Sequence, residues 1–172
     1  NTLKKILNFN IKYGSGFDIN KLKSGNYLSL AGLKIKCNYQ AIGHSDGDVV
    51  IHSIIDALLG ANNKGDIGKY FSDQDDKNKN LDSSEIITFC LVKLNDLNLE
   101  IHNIDTTIIC EEPKINPHRD NILKSLSSIL KIPVNNIGLK ATTSEQIGII
   151  GKNKAIAVQS LVNLRDKSWE YY

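Results

Sequence analysis

"HSDGDVVIHSIIDALLGA", residues His44 to Ala61, is the stretch that decides the fold. Val50, Ile51, Ile54, Ile55 and Leu58 recur at helical spacing and predict a helix with one face in a core. Ser45 or Asp46 is the expected N-cap, and Gly60 stands near the end. On the other side Asp48, His52 and Asp56 share a stripe, at i, i+4 and i+8. One reading is an ordinary amphipathic helix with a His between two Asp. Solvated faces usually carry Lys and Glu, and this stripe has neither, so a functional wedge is the other reading.

Upstream, "ILNFNIKYG" alternates apolar and polar residues like a strand, and "GFDIN" (Gly16–Asn20) continues it. Asp18 and Asn20, two apart, point to the same side of such a strand. "NYLSLAGLKI" predicts one further strand after the turn signal Ser24-Gly25-Asn26. Downstream, "SSEIITFCLVKLNDLN" is a helix capped by Ser83 or Ser84, "IHNIDTTIIC" a strand and "PHRDNILKSLSSIL" a third helix. "NIGLKATT" and "KAIAVQSLVNL" are the last two strands. The sum is an α+β protein: a single mixed β-sheet with helices packed on one face, one domain over residues 1–172. "KYFSDQDDKNKNLDSS" is a polar, Asp-rich stretch that reads either as a solvated loop or as a lid.

The 172 residues are 41% hydrophobic and carry a net charge of +2, which fits a globular chain and gives no ground for a nucleic-acid or membrane partner. Cys37, Cys90 and Cys110 are odd in number and form no CxxC, so free, buried or half-buried thiols in a reducing compartment are expected. The first residue is Asn1 rather than Met, which suggests trimming, and no targeting segment is legible.

Four groups of residues could carry chemistry. A neutral imidazole held by a carboxylate is a good metal ligand, so His52 with Asp18, a third ligand and an open position would make a catalytic divalent site. Gly65 and Gly68 in "GDIGKYF" let backbone N–H groups approach a ligand closely. Thr142, Thr143, Ser144 and Glu145 follow a strand; their hydroxyls and N–H groups suit phosphate oxygens, and Glu145 suits a hard cation such as Mg²⁺. A capping box between Thr142 and Glu145 is the structural alternative. In "CEEPKINPH", Pro113 and Pro117 stiffen a loop around Lys114 that reads either as a plain connection or as a seat for a base. His102 and His118 stand outside these groups and read as surface or structural residues.

"GFDIN", "AIGHSDGDVVIHSIIDALLGA", "GDIGKYFSD", "TTIICEEPKINPH" and "KATTSEQIG", in this order, resemble the 2-C-methyl-D-erythritol 2,4-cyclodiphosphate synthase family over about Gly14 to Lys152. The resemblance implies a homotrimer with active sites between subunits. It implies a small-molecule cytidine diphosphate substrate, 4-diphosphocytidyl-2-C-methyl-D-erythritol 2-phosphate, whose 2-phosphate attacks the β-phosphorus and expels CMP. It implies Zn²⁺ at Asp18, Asn20 and His52, where the family's "GFDxH" motif has His in place of Asn20. An amide oxygen is a harder and weaker zinc ligand than imidazole, so a functional enzyme of weakened zinc affinity is expected. Glu145 is implied to hold Mg²⁺ or Mn²⁺, and His44 and Thr143 to stabilise the transition state.

By the same resemblance the substrate-binding residues include Asp18, Ile19, Asn20, His44, Ser45, Asp56, Asp66, Ile67 and Gly68, with Phe71, Ser72, Asp73, Gln74 and Asp75. Cys110, Glu111, Glu112, Pro113, Lys114, Ile115 and Asn116 form the cytosine pocket, and Lys114 meets phosphate from a neighbouring subunit. Thr142, Thr143, Ser144, Glu145, Ile149 and Lys152 complete the set. Ile149 and Lys152 stand where the family often has an aromatic and an Arg, and Lys lacks the guanidinium fork. "SWEYY" lies beyond the match. The expected compartment is a plastid stroma or a bacterial cytoplasm; the Lys, Asn and Ile bias favours the plastid. Two competing readings use the same residues: a non-catalytic nucleotide-binding trimer that has lost its metal through Asn20, and a metal-dependent phosphohydrolase built on Asp18, His52 and the Asp-rich loop.

Overall fold

The computed structural model describes residues 11–42, 46–71 and 82–168. His44, Ser45, Ser72, Asp73, Gln74 and Asp75 therefore lie outside the described residues, as do most of the Asp-rich stretch and "SWEYY" beyond Ser168.

The described elements are β1 (Lys12–Ser24), β2 (Tyr27–Leu30), β3 (Leu33–Lys36), β4 (Tyr39–Ile42), α1 (Val49–Ala61), α2 (Ile67–Tyr70), α3 (Ser83–Asp96), β5 (Leu99–Ile109), α4 (Arg119–Leu130), β6 (Ile137–Thr142), α5 (Gly148–Gly151) and β7 (Ala155–Asp166). Five strands form a mixed sheet in the order β4-β1-β7-β5-β6, in which only the β5–β6 pair is parallel. Strands β2 and β3 form a separate antiparallel pair. The expected α+β architecture is present, but the single sheet is corrected to a five-stranded sheet plus a hairpin.

That hairpin comes from the stretch read as one strand. Ala31 (φ 54°) and Gly32 (φ 75°) both take left-handed backbone, as a two-residue hairpin turn requires. Ala carries no turn signal. The turn is fixed from outside, because the buried Asp48 carboxylate accepts from Ala31 N at 3.0 Å and Gly32 N at 2.6 Å.

Asp48 is also the N-cap of α1, accepting from Val50 N and Ile51 N at 3.1 Å each. This corrects two expectations. The N-cap is Asp48 rather than Asp46, with Ser45 outside the described residues, and Asp48 is fully buried rather than part of an exposed stripe with His52 and Asp56. For α3 the cap is Asp82, which accepts from Ser84 N, rather than Ser83 or Ser84.

Helix α1 lies across β1 and β7 on the covered side of the sheet. Val50, Ile51, Ile54, Ile55 and Leu58 are buried as expected, each worth about 1.5–3 kcal/mol of apolar burial. The approach to β1 is close enough that only glycine fits: a Cβ at Gly14 would stand 1.9 Å from the Ala57 carbonyl oxygen, and one at Gly16 1.9 Å from that of Ser53. A buried hydroxyl ladder joins helix to sheet, with Ser53 Oγ 2.7 Å from Ser160 Oγ, itself 3.0 Å from Thr106 Oγ1. The opposite face of the sheet leaves Tyr13, Phe17, Ile19 and Leu161 exposed.

Candidate functional site

Strand alternation turns Asp18 and Asn20 toward the helix side of β1 and Ile19 away from it. Close packing of α1 on Gly14 and Gly16 then brings His52 over Asp18. His52 Nδ1 lies 3.3 Å from Asp18 Oδ2, and His52 Nε2 lies 3.8 Å from Asp46 Oδ1. Asp18 Oδ1 accepts from Ile19 N at 2.8 Å, whereas Oδ2 is buried and forms no hydrogen bond, its 3.3 Å approach to His52 notwithstanding. Asn20 Nδ2 donates to the Gly47 carbonyl at 3.3 Å. Because a carbonyl only accepts, this contact fixes which end of the Asn20 amide is nitrogen.

Burial opposes a charge on His52, but the Asp18 carboxylate beside it, with Asp46 and Asp48 behind, outweighs it and holds the imidazole above its ordinary range. Burial also pushes the Asp48 carboxyl up, while the N–H groups of Gly32, Ile51 and Ala31 pull the other way. Among the described residues no three His, Cys, Asp or Glu side chains converge as a metal-holding group. Asp18 and His52 are thus a pair of such donors, with the Asn20 amide on the same strand face.

Asp46 is the residue that sequence reasoning placed wrongly. Its Oδ2 accepts from Ser83 Oγ at 2.6 Å and Ser83 N at 3.2 Å, and its Oδ1 from Asp48 N at 3.1 Å. It ties the start of α3 to the segment before α1, beside His52. The only sequence signal was its presence in "HSDGD".

Asp56 Oδ1 accepts from Ile67 N at 2.8 Å, which docks α2 on α1. Burial raises the Asp56 carboxyl, against the pull of that N–H. Asp66 caps α2 through Lys69 N, and Gly68 lies within that short helix. The Phe71 ring stands edge-on to Phe89, with centroids 5.7 Å apart, and packs against the core.

The other cluster sits at the ends of β5 and β6. A pocket of about 140 Å³ is lined by Cys110, Pro113, Lys114, Ile115, Asn116, Ala141, Thr142 and Thr143. Glu111 turns away from it: its Oε1 accepts from Ser144 N at 3.0 Å and Gln146 N at 3.2 Å. Desolvation acts against the charge on Glu111, but those N–H groups, the Ser144 hydroxyl and Lys114 keep the carboxyl below its usual range. Glu112 is half-buried and does not line the pocket. Thr143 Oγ1 donates to Glu145 Oε1 at 3.1 Å and accepts from Glu145 N at 3.3 Å. The expected capping box between Thr142 and Glu145 is not formed: the Thr142 hydroxyl donates to the Thr143 carbonyl at 3.1 Å, and Thr143 makes a local turn with Glu145 two residues on. Ile149 and Lys152 lie in and just after α5, both exposed. The three cysteines are free, Cys37 half-buried and the others buried. A larger cavity of about 380 Å³ between α1 and α3, lined by Leu58, Phe89, Cys90 and Leu94 among others, contains none of the expected site residues.

Pairing register places both clusters on the same rows of the sheet. Asp18 pairs with Val158, Val158 with Ile108, and Ile108 with Ala141; the next row runs Ile19, Ala157, Ile109, Thr142. Strands β1 and β6 are three spacings apart, roughly 14 Å.

An α+β sheet with a carboxylate–imidazole pair at one flank, and a strand-end pocket of hydroxyl, amide and Lys groups at the other, defines a class of domain suited to a phosphorylated ligand. Residues 11–165 match the YgbB family. A 2-C-methyl-D-erythritol 2,4-cyclodiphosphate synthase from Leptospira interrogans is 41% identical over 159 residues, 91% of this chain and 99% of that protein. A bifunctional enzyme IspD/IspF from Aliarcobacter butzleri is 45% identical over 91% of this chain, which spans only 42% of that longer protein. Among solved structures, an IspF from Plasmodium falciparum in complex with CDP has a TM-score of 0.81 at 36% identity, covering 91% of this chain and 97% of its own. The bifunctional IspDF from Campylobacter jejuni has a TM-score of 0.86 at 37% identity, with 92% of this chain and 43% of the longer one covered. The chain belongs to the YgbB family, and the resemblance read from its motifs is borne out.

Proposed function

We propose that this chain converts 4-diphosphocytidyl-2-C-methyl-D-erythritol 2-phosphate to 2-C-methyl-D-erythritol 2,4-cyclodiphosphate with release of CMP, in non-mevalonate isoprenoid precursor synthesis. The observation that carries the reading is the register: motif stretches more than a hundred residues apart meet on two rows of one sheet. The CDP complex of the Plasmodium relative supports a cytidine nucleotide in the pocket made by Cys110 and residues 113–116.

Closing a ring between a phosphate monoester and a diphosphate sets anion against anion, so positioning and charge neutralisation dominate. Lys114 and Lys152 contribute positive charge, and Thr143, with His44, supplies donors to charge developing at phosphorus. Asp56, Asp66, Ile67 and Gly68, with Phe71 to Asp75, surround the methylerythritol phosphate.

Asp18 and His52 suit a divalent cation such as Zn²⁺, because the buried Asp18 Oδ2 makes no hydrogen bond and faces an imidazole nitrogen. Asn20 adds its amide oxygen, the nitrogen being committed to Gly47. Glu145 holds Mg²⁺ or Mn²⁺. When bound, such cations draw charge from the diphosphate.

The working unit is a homotrimer. Tyr13, Phe17, Ile19 and Leu161 leave an apolar patch on the open face of the sheet, directly behind the Asp18–Asn20 segment, which suits burial against further copies. A bacterial cytoplasm or a plastid stroma suits the reaction. Among the described residues no helix is long and apolar enough to cross a membrane.

Incubation with the substrate, Mg²⁺ and graded Zn²⁺, following CMP and inorganic phosphate, tests the reading. CMP release supports it. CDP binding without turnover supports the non-catalytic trimer, and phosphate released from generic phosphoesters supports a hydrolase.

A further inference from the structure

Glu111 leaves the end of β5 next to the candidate nucleotide pocket, yet its side chain is no part of the lining. One carboxylate oxygen instead gathers the N–H groups of Ser144 and Gln146 from the facing turn. The Ser144 hydroxyl lies 3.3 Å from the same oxygen and 2.9 Å from the Ile147 carbonyl, so its single proton serves both. Within this turn Glu145 (φ 52°) and Gln146 (φ 62°) are consecutive non-glycine residues in the left-handed region. Backbone of that kind persists only where its surroundings hold it. Gly151 closes the other side: a Cβ there would stand 2.1 Å from the Gln146 carbonyl carbon. Two backbone N–H groups converging on one anion form a concavity that a carboxylate fills.

We propose that Glu111 is a positioning residue. Its carboxylate fixes the turn from Thr143 to Gln146, and so sets Thr143 and Glu145 at the phosphate end of the pocket whose opposite wall begins at Cys110. The loop that seats the base and the loop that meets the reacting phosphates are thereby one mechanical unit. Glu111 touches neither substrate nor metal. The inference rests on the function proposed above for its kinetic consequence, but not for its structural one.

The test compares Glu111→Ala and Glu111→Gln with the unaltered chain in two readouts. In hydrogen exchange, the Ser144 and Gln146 amides lose protection in Glu111→Ala and keep it in Glu111→Gln, whose amide oxygen accepts the same two bonds. In CMP-release kinetics, Glu111→Ala loses kcat on the order of 10²-fold, as misplaced catalytic groups do, and Glu111→Gln recovers most of the loss. Unchanged protection or unchanged kcat in Glu111→Ala overturns the proposal, as does equal loss in both variants. If the unaltered chain releases no CMP, the functional reading falls and the exchange readout alone decides whether Glu111 holds the turn. If Glu111→Ala does not fold, Glu111→Gln still decides: loss of protection or of kcat in that variant overturns the proposal.

Discussion

The Asp18–His52 flank of the sheet and the Cys110–Thr143 flank are held by different forces. The first is set by backbone packing: α1 rests on Gly14 and Gly16, and a buried carboxylate, Asp48, fixes where the helix begins. The second is set by exposed turns strapped by side-chain hydrogen bonds, Glu111 to Ser144 and Gln146, and Thr143 to Glu145. Damage to the first should therefore appear as lost stability, and damage to the second as lost turnover in a protein that still folds.

The sharpest way to break this contrast is Gly16→Ala. A Cβ there meets the Ser53 carbonyl at 1.9 Å, and neither β1 nor α1 can shift without opening the core. The expected cost is more than about 4 kcal/mol, read as a collapse of the urea midpoint. Near-normal stability would mean that α1 does not lie on β1 as described. Asp48→Ala comes next. It strands the N–H groups of Ala31, Gly32, Val50 and Ile51, and the expected loss is about 3–5 kcal/mol. Asp48→Asn should be intermediate, since one amide oxygen can serve only part of that set.

These two residues also show what a sequence can carry. The helix at 49–61, its apolar face and the strand through Gly16–Asn20 were legible because periodicity is a local property, whereas the four-residue β4 was too short to show one. The alignment of Asp18 with His52 was legible only as two motifs belonging together, since what unites them is the tertiary packing of α1 on Gly14 and Gly16. The caps were misread for a physical reason. Ser45, Asp46 and Asp48 are all competent caps, and the choice falls to Asp48 because the hairpin turn at Ala31-Gly32 supplies two more N–H groups to the same carboxylate. Nothing in "NYLSLAGLKI" marks that turn, because Ala31 adopts its left-handed conformation under tertiary constraint. Glu111 lay inside a motif read as a base pocket, and only coordinates reveal that its side chain faces the other loop.

Asn20→His acts on ligation rather than folding. Replacing the amide oxygen by an imidazole on the same face of β1 as Asp18, the partner of His52, should raise zinc affinity by about 10- to 100-fold, measured by competition with a chelating dye. The urea midpoint of the metal-free protein should scarcely move. Unchanged zinc affinity would remove residue 20 from the ligand set, and a large drop in stability would show that the Asn20–Gly47 contact belongs to the packing side of the contrast.

The smallest effect expected is a pH dependence of the metal-free protein. His52 is held above its ordinary range because Asp18, Asp46 and Asp48 outweigh its burial. The folded state then grips the proton more tightly than the unfolded chain does. The added stability is complete below the unfolded imidazole value, about 6.5, and is lost as pH climbs through the raised folded value. Urea midpoints measured in chelator between about pH 5 and 9 should fall across this window in the unaltered chain and stay flatter in His52→Gln. Bound metal should invert the trend, because a ligating imidazole must be neutral and protons compete with the cation for it. A metal-free profile that rises with pH would mean that burial, not the three carboxylates, governs His52, and the Asp18–His52 flank would then owe its geometry to packing alone.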